Sequence, residues 1–293
     1  MPQTVLITGA SSGIGRATAH LFARRGASLV LLARGREALE ETAAEVRAAG
    51  AADVVVCPAD VLDEDALRRA VEGTVARTGR LDVVVHAAQV VAYGKLEEVP
   101  KEVFERVVDT ALHGTGNLAR TVLPVFRRQG AGHLVVVSSL LASVTTPFMG
   151  SYTTAKWGQL AMIRTLQQET RDVPGIHVSA VAPGGVNTPI YSQAGSYIGL
   201  KGRPPIPIYS PERVARSVVA RLDRPRRLVQ SGFANPVVIL GFRLFPAVYD
   251  LLVGPLLRMF ALADDDRTPP TEGNVFESRP AGNATKGRWH GIP

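Results

Sequence analysis

The chain has 293 residues, of which 46% are hydrophobic and 20% charged, a composition that suits one large globular domain or two small ones. Its formal net charge of +7 comes mainly from scattered arginines without a dense basic tract, which argues against nucleic-acid binding. The single cysteine, Cys57, excludes an internal disulfide and a cysteine-based metal site; with no signal segment at the amino terminus, the sequence predicts a cytoplasmic protein.

A glycine-rich turn follows the first predicted strand, residues 4–8, and leads into a helical run over residues 16–25. In such a turn the first glycine permits the sharp bend, the second lets the backbone approach a pyrophosphate, and the third lets the helix pack on the strand. The helix amino terminus then offers free N–H groups to the phosphates. An ordinary glycine-rich connection is the alternative. The turn predicts a dinucleotide site that includes Gly9, Ser11, Ser12, Gly13, Ile14 and Gly15.

The end of the second predicted strand, residues 28–33, indicates which dinucleotide binds. Enzymes that prefer NAD place a carboxylate about 20 residues beyond the glycines, where it holds the ribose hydroxyls. Here that position holds Arg34, and a guanidinium can pair with a 2′-phosphate that a carboxylate would repel. The sequence therefore favours NADP(H) over NAD(H); a solvated loop charge is the alternative for Arg34.

Strands and helices continue to alternate through the first 232 residues. Uninterrupted βα units dictate a parallel, doubly wound sheet with helices on both faces, the Rossmann-type arrangement of the α/β class. No linker or repeat divides this region, so we predict a single dinucleotide-binding and catalytic domain over residues 1–232. Asp60, just after the third strand, is positioned to meet an adenine amino group. The further strands are predicted at residues 53–57, 82–86, 133–138, 176–182 and 226–229, and the further helices at residues 37–49, 63–78, 100–128, 151–171 and 211–222.

Ser139, Tyr152 and Lys156 form the candidate catalytic set. Ser139 ends a strand, at the edge where open α/β sheets hold their ligands. Tyr152 and Lys156 share one helix face, in a helix predicted to start at a cap-like Ser151. An ammonium about 4 Å from a phenol, at an effective dielectric near 20, favours the phenolate by about 4 kcal/mol, or about three pKa units. That shift would suit a general acid or base; a surface helix carrying both residues without function is the alternative.

The composition changes after residue 182. Residues 184–210, rich in Gly, Pro and Tyr, predict a lid loop over cofactor and substrate. Residues 233–263 are strongly apolar, but proline and charge interrupt them before the length of a bilayer span is reached. We predict helices that line a substrate pocket or cover a subunit interface, with a membrane surface as the alternative. Residues 264–293 predict an extended or partly disordered tail.

In combination, these motifs resemble those of the short-chain dehydrogenase/reductase family over about residues 1–231. The resemblance implies hydride transfer between a nicotinamide and a carbonyl or alcohol. Tyr152 would give or take the proton, Ser139 would hold the substrate oxygen, and Lys156 would bind the ribose and lower the tyrosine pKa. The implied cofactor contacts are Gly9, Ser11, Ser12, Gly13, Ile14, Gly15, Arg34, Asp60, Val61, Ala87, Tyr152, Lys156, Pro183, Gly184, Val186 and Thr188.

Two positions depart from the family pattern. The usual Asn-Asn-Ala-Gly run is His86-Ala-Ala-Gln89 here, and the Gln89 side chain can crowd the cofactor ribose. Ala111 stands where the family has an asparagine that supports a water-linked proton relay to the lysine. The Ala111 carbonyl could still hold that water, or His113 could replace the asparagine, although a surface histidine is the simpler interpretation. His86 fits a packed strand-end residue better than a proton carrier.

The sequence therefore predicts an NADP(H)-dependent oxidoreductase acting on a carbonyl or secondary alcohol. The apolar segment before the tail resembles that of family members with hydrophobic substrates, so a hydrophobic ketone or aldehyde is expected. The alternative is an NADP(H)-binding protein with little or no turnover, acting as a sensor or assembly partner. The resemblance also implies a homodimer or homotetramer, and residues 234–263 could provide a peripheral membrane contact. No metal site is predicted.

Overall fold

A computed structural model describes residues 2–292, with residues 263–266 described by their backbone alone. Seven strands form a central sheet, built mainly from β-branched and aliphatic residues that are buried in the inner strands and only partly buried in the two edge strands. Every neighbouring pair in this sheet is parallel. The strands are β1 (Thr4–Thr8), β2 (Ser28–Ala33), β3 (Asp53–Pro58), β4 (Val83–His86), β5 (Gly132–Val137), β6 (Ile176–Pro183) and β7 (Leu228–Ser231), and their spatial order is β7-β6-β5-β4-β1-β2-β3.

The described part of the chain contains eight α-helices. They are α1 (Gly13–Ala23), α2 (Arg36–Ala48), α3 (Glu64–Thr78), α4 (Lys101–Gln129), α5 (Gly150–Glu169), α6 (Pro211–Asp223), α7 (Asn235–Leu244) and α8 (Pro246–Ala261). Helices α1, α2 and α6 pack on one face of the sheet and α3, α4 and α5 on the other, so each face has its own apolar core. The predicted Rossmann-type, doubly wound fold is confirmed.

The strand order reverses between β1 and β4, and the crevice outside the carboxyl ends of these strands is where such sheets bind ligands. Strand β5 ends two residues before Ser139, at the same edge. Helix α5 begins at Gly150, after Met149, so the prediction that Ser151 caps this helix is wrong. Ser151 lies inside the first turn, and its buried hydroxyl has no hydrogen-bond partner.

The segments that follow β6 cover this crevice. Residues 185–186 pair with 208–209, and residues 195–196 pair with 92–93, which ties the predicted lid loop to the rim of the sheet. Helices α7 and α8 form a hairpin, and residues 262–267 then pair antiparallel with 200–202. The tail continues in a largely irregular path that hydrogen-bonds to the lid and to the glycine-rich turn. The division of the chain into domain, extension and tail stays a prediction.

Candidate active site

The glycine-rich turn has the geometry expected of a phosphate loop. Gly9 has φ +68°, and a Cβ there would lie 2.8 Å from the backbone carbonyl carbon of Ala87, so only glycine fits between β1 and β4. Gly13, with φ +53°, opens helix α1 and lines the crevice, so the first N–H groups of this helix, which have no partner within it, lie at this edge of the sheet. The loop is therefore shaped for close approach of an anionic group.

Thr8 connects the carboxyl ends of β1 and β4 beside the glycine-rich turn. Its hydroxyl hydrogen-bonds to His86 Nδ1 at 2.8 Å and accepts from the Ala87 N–H at 3.2 Å. His86 is buried, and desolvation, with a smaller contribution from the Lys156 charge, lowers its pKa to about 3. A neutral histidine locked to Thr8 fits the packed strand-end interpretation, because it takes up no proton near neutral pH.

The three candidate catalytic residues face one cavity. Ser139 follows β5 and accepts the Leu141 N–H at 3.1 Å, which fixes its side chain at the start of a short 3₁₀ turn. Tyr152 and Lys156 lie one turn apart on α5, with the Lys156 Nζ 5.6 Å from the centre of the tyrosine ring. All three line a cavity of about 860 Å³. A hydroxyl, a phenol and an amine thus meet at one wall of a space large enough for a drug-sized molecule.

The predicted lowering of the Tyr152 pKa is wrong for this structure. Burial raises the pKa of the phenol to about 12, and a hydrogen bond with Ser139 opposes that rise only in part. Burial also lowers the pKa of Lys156 to about 7, so the ammonium is only partly populated at neutral pH. Desolvation therefore outweighs the attraction between phenolate and ammonium that the sequence spacing suggested.

The surroundings of Lys156 exclude the relays considered from the sequence. Its ammonium donates to the Val137 carbonyl at 3.2 Å and to Gln159 Oε1 at 3.0 Å. The Ala111 carbonyl, the predicted water holder, already accepts from Gln159 Nε2 at 3.2 Å and from the Thr115 hydroxyl at 2.6 Å. His113 is 66% exposed and pairs with Asp109, so it lies on the helix surface and cannot take the missing asparagine's place.

Six of the predicted cofactor residues, including the Pro183–Thr188 segment that the resemblance assigns to the nicotinamide, line the same cavity as the catalytic set. They are Ile14, Ala87, Pro183, Gly184, Val186 and Thr188. Gln89 joins them: its Nε2 donates to the Val90 carbonyl at 2.7 Å, while its Oε1 is buried without a partner. An unpaired buried amide oxygen in a residue that lines the cavity is the kind of group that a bound polar ligand can satisfy. Gln89 thus has a hydrogen-bonding position at this wall, in addition to the bulk that was predicted to crowd it.

The other predicted cofactor residues line a second, adjoining cavity of about 150 Å³, which is small for a ligand pocket. They are Gly9, Ser11, Ser12, Gly13, Gly15, Arg34, Asp60 and Val61. The tail narrows this space with Asn274, Ser278, Arg279 and Asn283. Asp60 pairs with Arg106 and accepts the Leu62 N–H at 3.0 Å.

Two groups predicted to hold the cofactor phosphates hold the tail in this structure. Arg34 donates to the carbonyls of Asn274, Val275 and Phe276 over 2.6 to 3.0 Å. The Gly13 N–H donates to the Ala284 carbonyl at 2.9 Å. The residues present therefore fit a dinucleotide at its nicotinamide half, and they fit its adenosine half once the tail releases these donors.

Comparison with known proteins identifies the family. The family model described as short chain dehydrogenase matches residues 3–197. This chain belongs to the short-chain dehydrogenase/reductase family. It is 30% identical over 280 residues to the uncharacterized oxidoreductase YxnA of Bacillus subtilis, across 94% of this chain and 78% of that protein. It is 34% identical over 242 residues to 11-beta-hydroxysteroid dehydrogenase 1A of Arabidopsis thaliana, across 78% of this chain and 67% of that protein.

Solved structures of this family carry either nicotinamide dinucleotide. The alcohol dehydrogenase from the archaeon Thermococcus sibiricus, complexed with 5-hydroxy-NADP, matches with a TM-score of 0.68 and 29% identity over 78% of this chain and 95% of that one. A short-chain dehydrogenase from Mycobacterium paratuberculosis bound to NAD matches with a TM-score of 0.69 and 26% identity over 78% and 95%. The family thus makes this chain an oxidoreductase with a nicotinamide cofactor and a small-molecule substrate.

Sequence reasoning missed three contributors to the site. Gln159 follows Lys156 by three residues, so helical spacing alone would have put it on the same face. Arg106, from α4, pairs with Asp60, and its Nε donates to the Val275 carbonyl at 3.4 Å. No local sequence pattern indicated that Arg106 belongs to the site. The tail itself was interpreted by composition, which carries no information on long-range partners.

Proposed function

We propose that this protein is an NADP(H)-dependent reductase that interconverts an apolar ketone or aldehyde and its alcohol. One observation carries the proposal: Ser139, Tyr152 and Lys156 face a cavity of about 860 Å³ whose remaining walls are mainly aliphatic and aromatic. The segment from Pro183 to Thr188, which the family resemblance assigns to the nicotinamide, also lines that cavity. Proton donor, oxygen-binding hydroxyl and cofactor segment thus border a common space.

The chain's own residues would manage the substrate oxygen and its proton. With a pKa raised to about 12, the Tyr152 hydroxyl keeps its proton at neutral pH, which suits a general acid in carbonyl reduction. The Ser139 hydroxyl can donate to the substrate oxygen as negative charge develops there. The nicotinamide supplies the hydride when it is bound. Lys156 has used two of its three N–H donors on Val137 and Gln159, so one remains for the ribose side of the cavity.

Arg34 supports the choice of NADP(H) over NAD(H). It lies at the end of β2, where a carboxylate would favour the free ribose, and its guanidinium lines the adenosine-side cavity together with Arg106. Arg106 is paired with Asp60, so Arg34 is the guanidinium without a carboxylate partner among the described residues that favours an additional phosphate at this end of the crevice. The Thermococcus sibiricus enzyme, 29% identical, was solved with 5-hydroxy-NADP.

The cavity walls support an apolar substrate. Helices α7 and α8 and the residue between them contribute Val237, Phe245, Val248, Leu252, Leu256 and Phe260 to it. Burying apolar substrate surface against such walls is favourable, whereas a charged substrate would lose hydration without a partner. The Arabidopsis thaliana relative carries the name of a steroid dehydrogenase, which is in keeping with a bulky apolar substrate.

The test is oxidation of NADPH in the presence of a panel of hydrophobic ketones and aldehydes. We expect turnover by the wild type and its loss in Tyr152→Phe, which removes the proton and keeps the ring. Tyr197→Phe is the matched control, because Tyr197 packs in the neighbouring apolar cluster and does not line the substrate cavity. Turnover that survives in Tyr152→Phe would refute the assigned acid.

A second candidate is an NADP(H)-binding protein with little turnover. It is favoured by the tail, because a nucleotide must displace the tail's contacts with Arg34 and Gly13 before any turnover can occur. NADPH binding without oxidation by any carbonyl of the panel would support this candidate against the first.

We also propose that the α7–α8 hairpin contacts a membrane surface where an apolar substrate enters. The described part of the chain has no helix long and apolar enough to cross a membrane. The hairpin exposes Val237, Leu240, Leu244, Phe245, Val248, Leu251, Leu252, Leu256 and Met259. Its only carboxylate is Asp250, against Arg243 and Arg258, so an anionic lipid surface suits it.

Vesicle sedimentation tests this contact. Leu251, 73% exposed, and Leu244 do not line the cavity, so Leu251→Ser and Leu244→Ser should release the protein from anionic vesicles and leave turnover of a soluble substrate unchanged. Equal binding of wild type and variants would refute the proposal.

The family resemblance further suggests a homodimer or homotetramer through α4 and α5, which light scattering after size exclusion would measure.

A further inference from the structure

Gln159 is a buried amide that joins helix α5 to helix α4 beside the lysine of the site. Its side chain is 0% exposed, and every hydrogen-bonding atom of the amide is engaged. Oε1 accepts from Lys156 Nζ at 3.0 Å, and Nε2 donates to the Thr115 hydroxyl at 2.9 Å and to the Ala111 carbonyl at 3.2 Å. Burying an amide is favourable only with such complete pairing.

The network fixes the orientation of the amide. If its oxygen and nitrogen were exchanged, an NH₂ group would face the Lys156 donors and an oxygen would face the Ala111 carbonyl. Both contacts would then bring together groups of the same kind, so the other orientation loses its hydrogen bonds. Lys156 is thus presented with an acceptor on the α4 side and, through Val137, with a second acceptor on the β5 side.

The same contacts close the α4 side of the lysine to water. The Ala111 carbonyl accepts from both Gln159 and Thr115, so its lone pairs are engaged within the protein. Ala111 itself has no polar side chain, and the position is fully buried. The space that a relay of water would need beside Ala111 is filled by the Gln159 amide.

We propose that Gln159 is a positioning residue that favours the ammonium form of Lys156, orients it toward the cavity and takes the place of a side chain-and-water relay through α4. The proposal rests on the proposed function for its catalytic meaning. An acceptor on the ammonium favours the charged form over the neutral amine, against the desolvation that disfavours it. Proton exchange with solvent then runs through the cavity side of Lys156 and Tyr152.

Other ionisable groups around this pair are few. Tyr152 lies one turn earlier on α5, and His86 faces Lys156 from β4 as a neutral imidazole at neutral pH. Tyr191, from the lid, interacts with Tyr152, and burial raises its pKa. Helix α4 faces Lys156 through the network of Gln159, Thr115 and the Ala111 carbonyl, none of which titrates. A change at Gln159 should therefore be read directly in the Lys156 titration.

The experiment is an NMR titration of protein labelled with ¹³C at the lysine Cε. The chain has five lysines, and Lys156→Met identifies the buried signal. Gln159→Leu removes the acceptor at similar volume, so the Lys156 midpoint should fall by about one pH unit. Gln159→Glu offers a carboxylate instead, so the midpoint should rise by at least as much. Gln159→Met gives the same fall as leucine if the leucine variant does not fold.

The positioning role is supported if the Lys156 midpoint shifts in opposite directions in the leucine and glutamate variants. The alkaline limb of the pH profile of kcat/KM should shift in the same direction as the midpoint in each variant. If the Lys156 midpoint is unchanged in both variants and only the melting temperature falls, Gln159 merely fills the interface between α4 and α5, and the proposal is overturned. Thr115→Val, which loosens the amide without touching Lys156, should shift the midpoint in the same direction as leucine but by less. Because the titration needs no turnover, failure to reduce any carbonyl would refute the proposed function and leave this result standing.

Discussion

Cutting the tail away from the cofactor crevice should strengthen nucleotide binding. Arg34 and the Gly13 N–H bind tail carbonyls in this structure, and a bound dinucleotide would replace those contacts with its own phosphates. What the nucleotide cannot replace is the burial of Val275, which is 0% exposed among the side chains of Val90, Ala92, Val103 and Val107. Burying a valine contributes about 1.5–3 kcal/mol, which corresponds to a factor of about 10–150 in affinity.

Ordering the tail costs conformational entropy and moves the expected effect toward the lower end, about tenfold. The assay starts from the folded chain. A protease site inserted after Pro269, an exposed position beyond the strand pair of residues 200–202 and 262–267, allows cleavage of the native protein. The Kd for NADPH is then measured by fluorescence before cleavage, and after cleavage and removal of the released segment.

A synthetic peptide of residues 272–292 should compete with NADPH for the cleaved protein. Val275→Ser in the uncut chain is the matched variant, since it keeps the backbone carbonyls and removes the buried side chain; it should recover part of the gain. Equal affinity before and after cleavage would refute the competition, and weaker binding after cleavage would mean that the tail secures the bound nucleotide. Absence of binding in every form would instead refute the proposed cofactor.

Three further outcomes follow from the same contacts. In the cleaved protein, Arg34→Ala should weaken NADPH binding by about tenfold or more and leave NADH binding unchanged, because one charge-assisted phosphate contact is worth about 1.5–3 kcal/mol; equal losses for both nucleotides would refute its selectivity. Tyr152→Phe should abolish turnover and keep the Kd for NADPH, and a large change in Kd would point to a misfolded site. Burial lowers the pKa values of His86 and His133 to about 3 and about 4, so the unfolded chain takes up protons first and stability falls as the pH drops below about 6.5. Protonation of each histidine in the unfolded chain should lower the free energy of unfolding by about 1.6 kcal/mol between pH 6.5 and pH 5, and His133→Asn should flatten that slope in urea titrations; an unchanged slope would contradict the assignment.

The sequence was sufficient where short-range pattern decides structure. Strands such as Thr4–Thr8 and Ile176–Pro183 are continuous apolar runs bounded by turn residues, and the glycine turn between β1 and α1 has a local steric meaning. The grouping of the three candidate catalytic residues was predictable for the same reason, since a strand end and a one-turn helical spacing bring Ser139, Tyr152 and Lys156 to one edge. Helix α5 was predicted one residue late at its start, where Met149 replaces the expected serine cap, and two residues too long at its end.

Long-range partners were beyond that reasoning. The contact of Arg34 with Val275 joins residues 241 positions apart, and no periodicity reports such a pairing. The sign of the Tyr152 pKa shift was missed because it depends on the walls that bury the phenol, which come from several separate elements. Gln159 could have been flagged as a polar residue on the buried face of a helix, but its partner Ala111 is known only once α4 and α5 are packed together.

Desolvation keeps the ionisable groups around the substrate cavity largely uncharged. At neutral pH the phenol of Tyr152 and the imidazole of His86 are uncharged, and Lys156 is partly charged, so the cavity wall carries at most one charge near the catalytic edge. An apolar carbonyl compound can enter such a cavity without stripping water from several ions. The one remaining charge is the group that Gln159 holds by its amide oxygen. An amide keeps that charge oriented without neutralising it, whereas a carboxylate at residue 159 would pair with it and weaken its hold on the ribose side of the cavity.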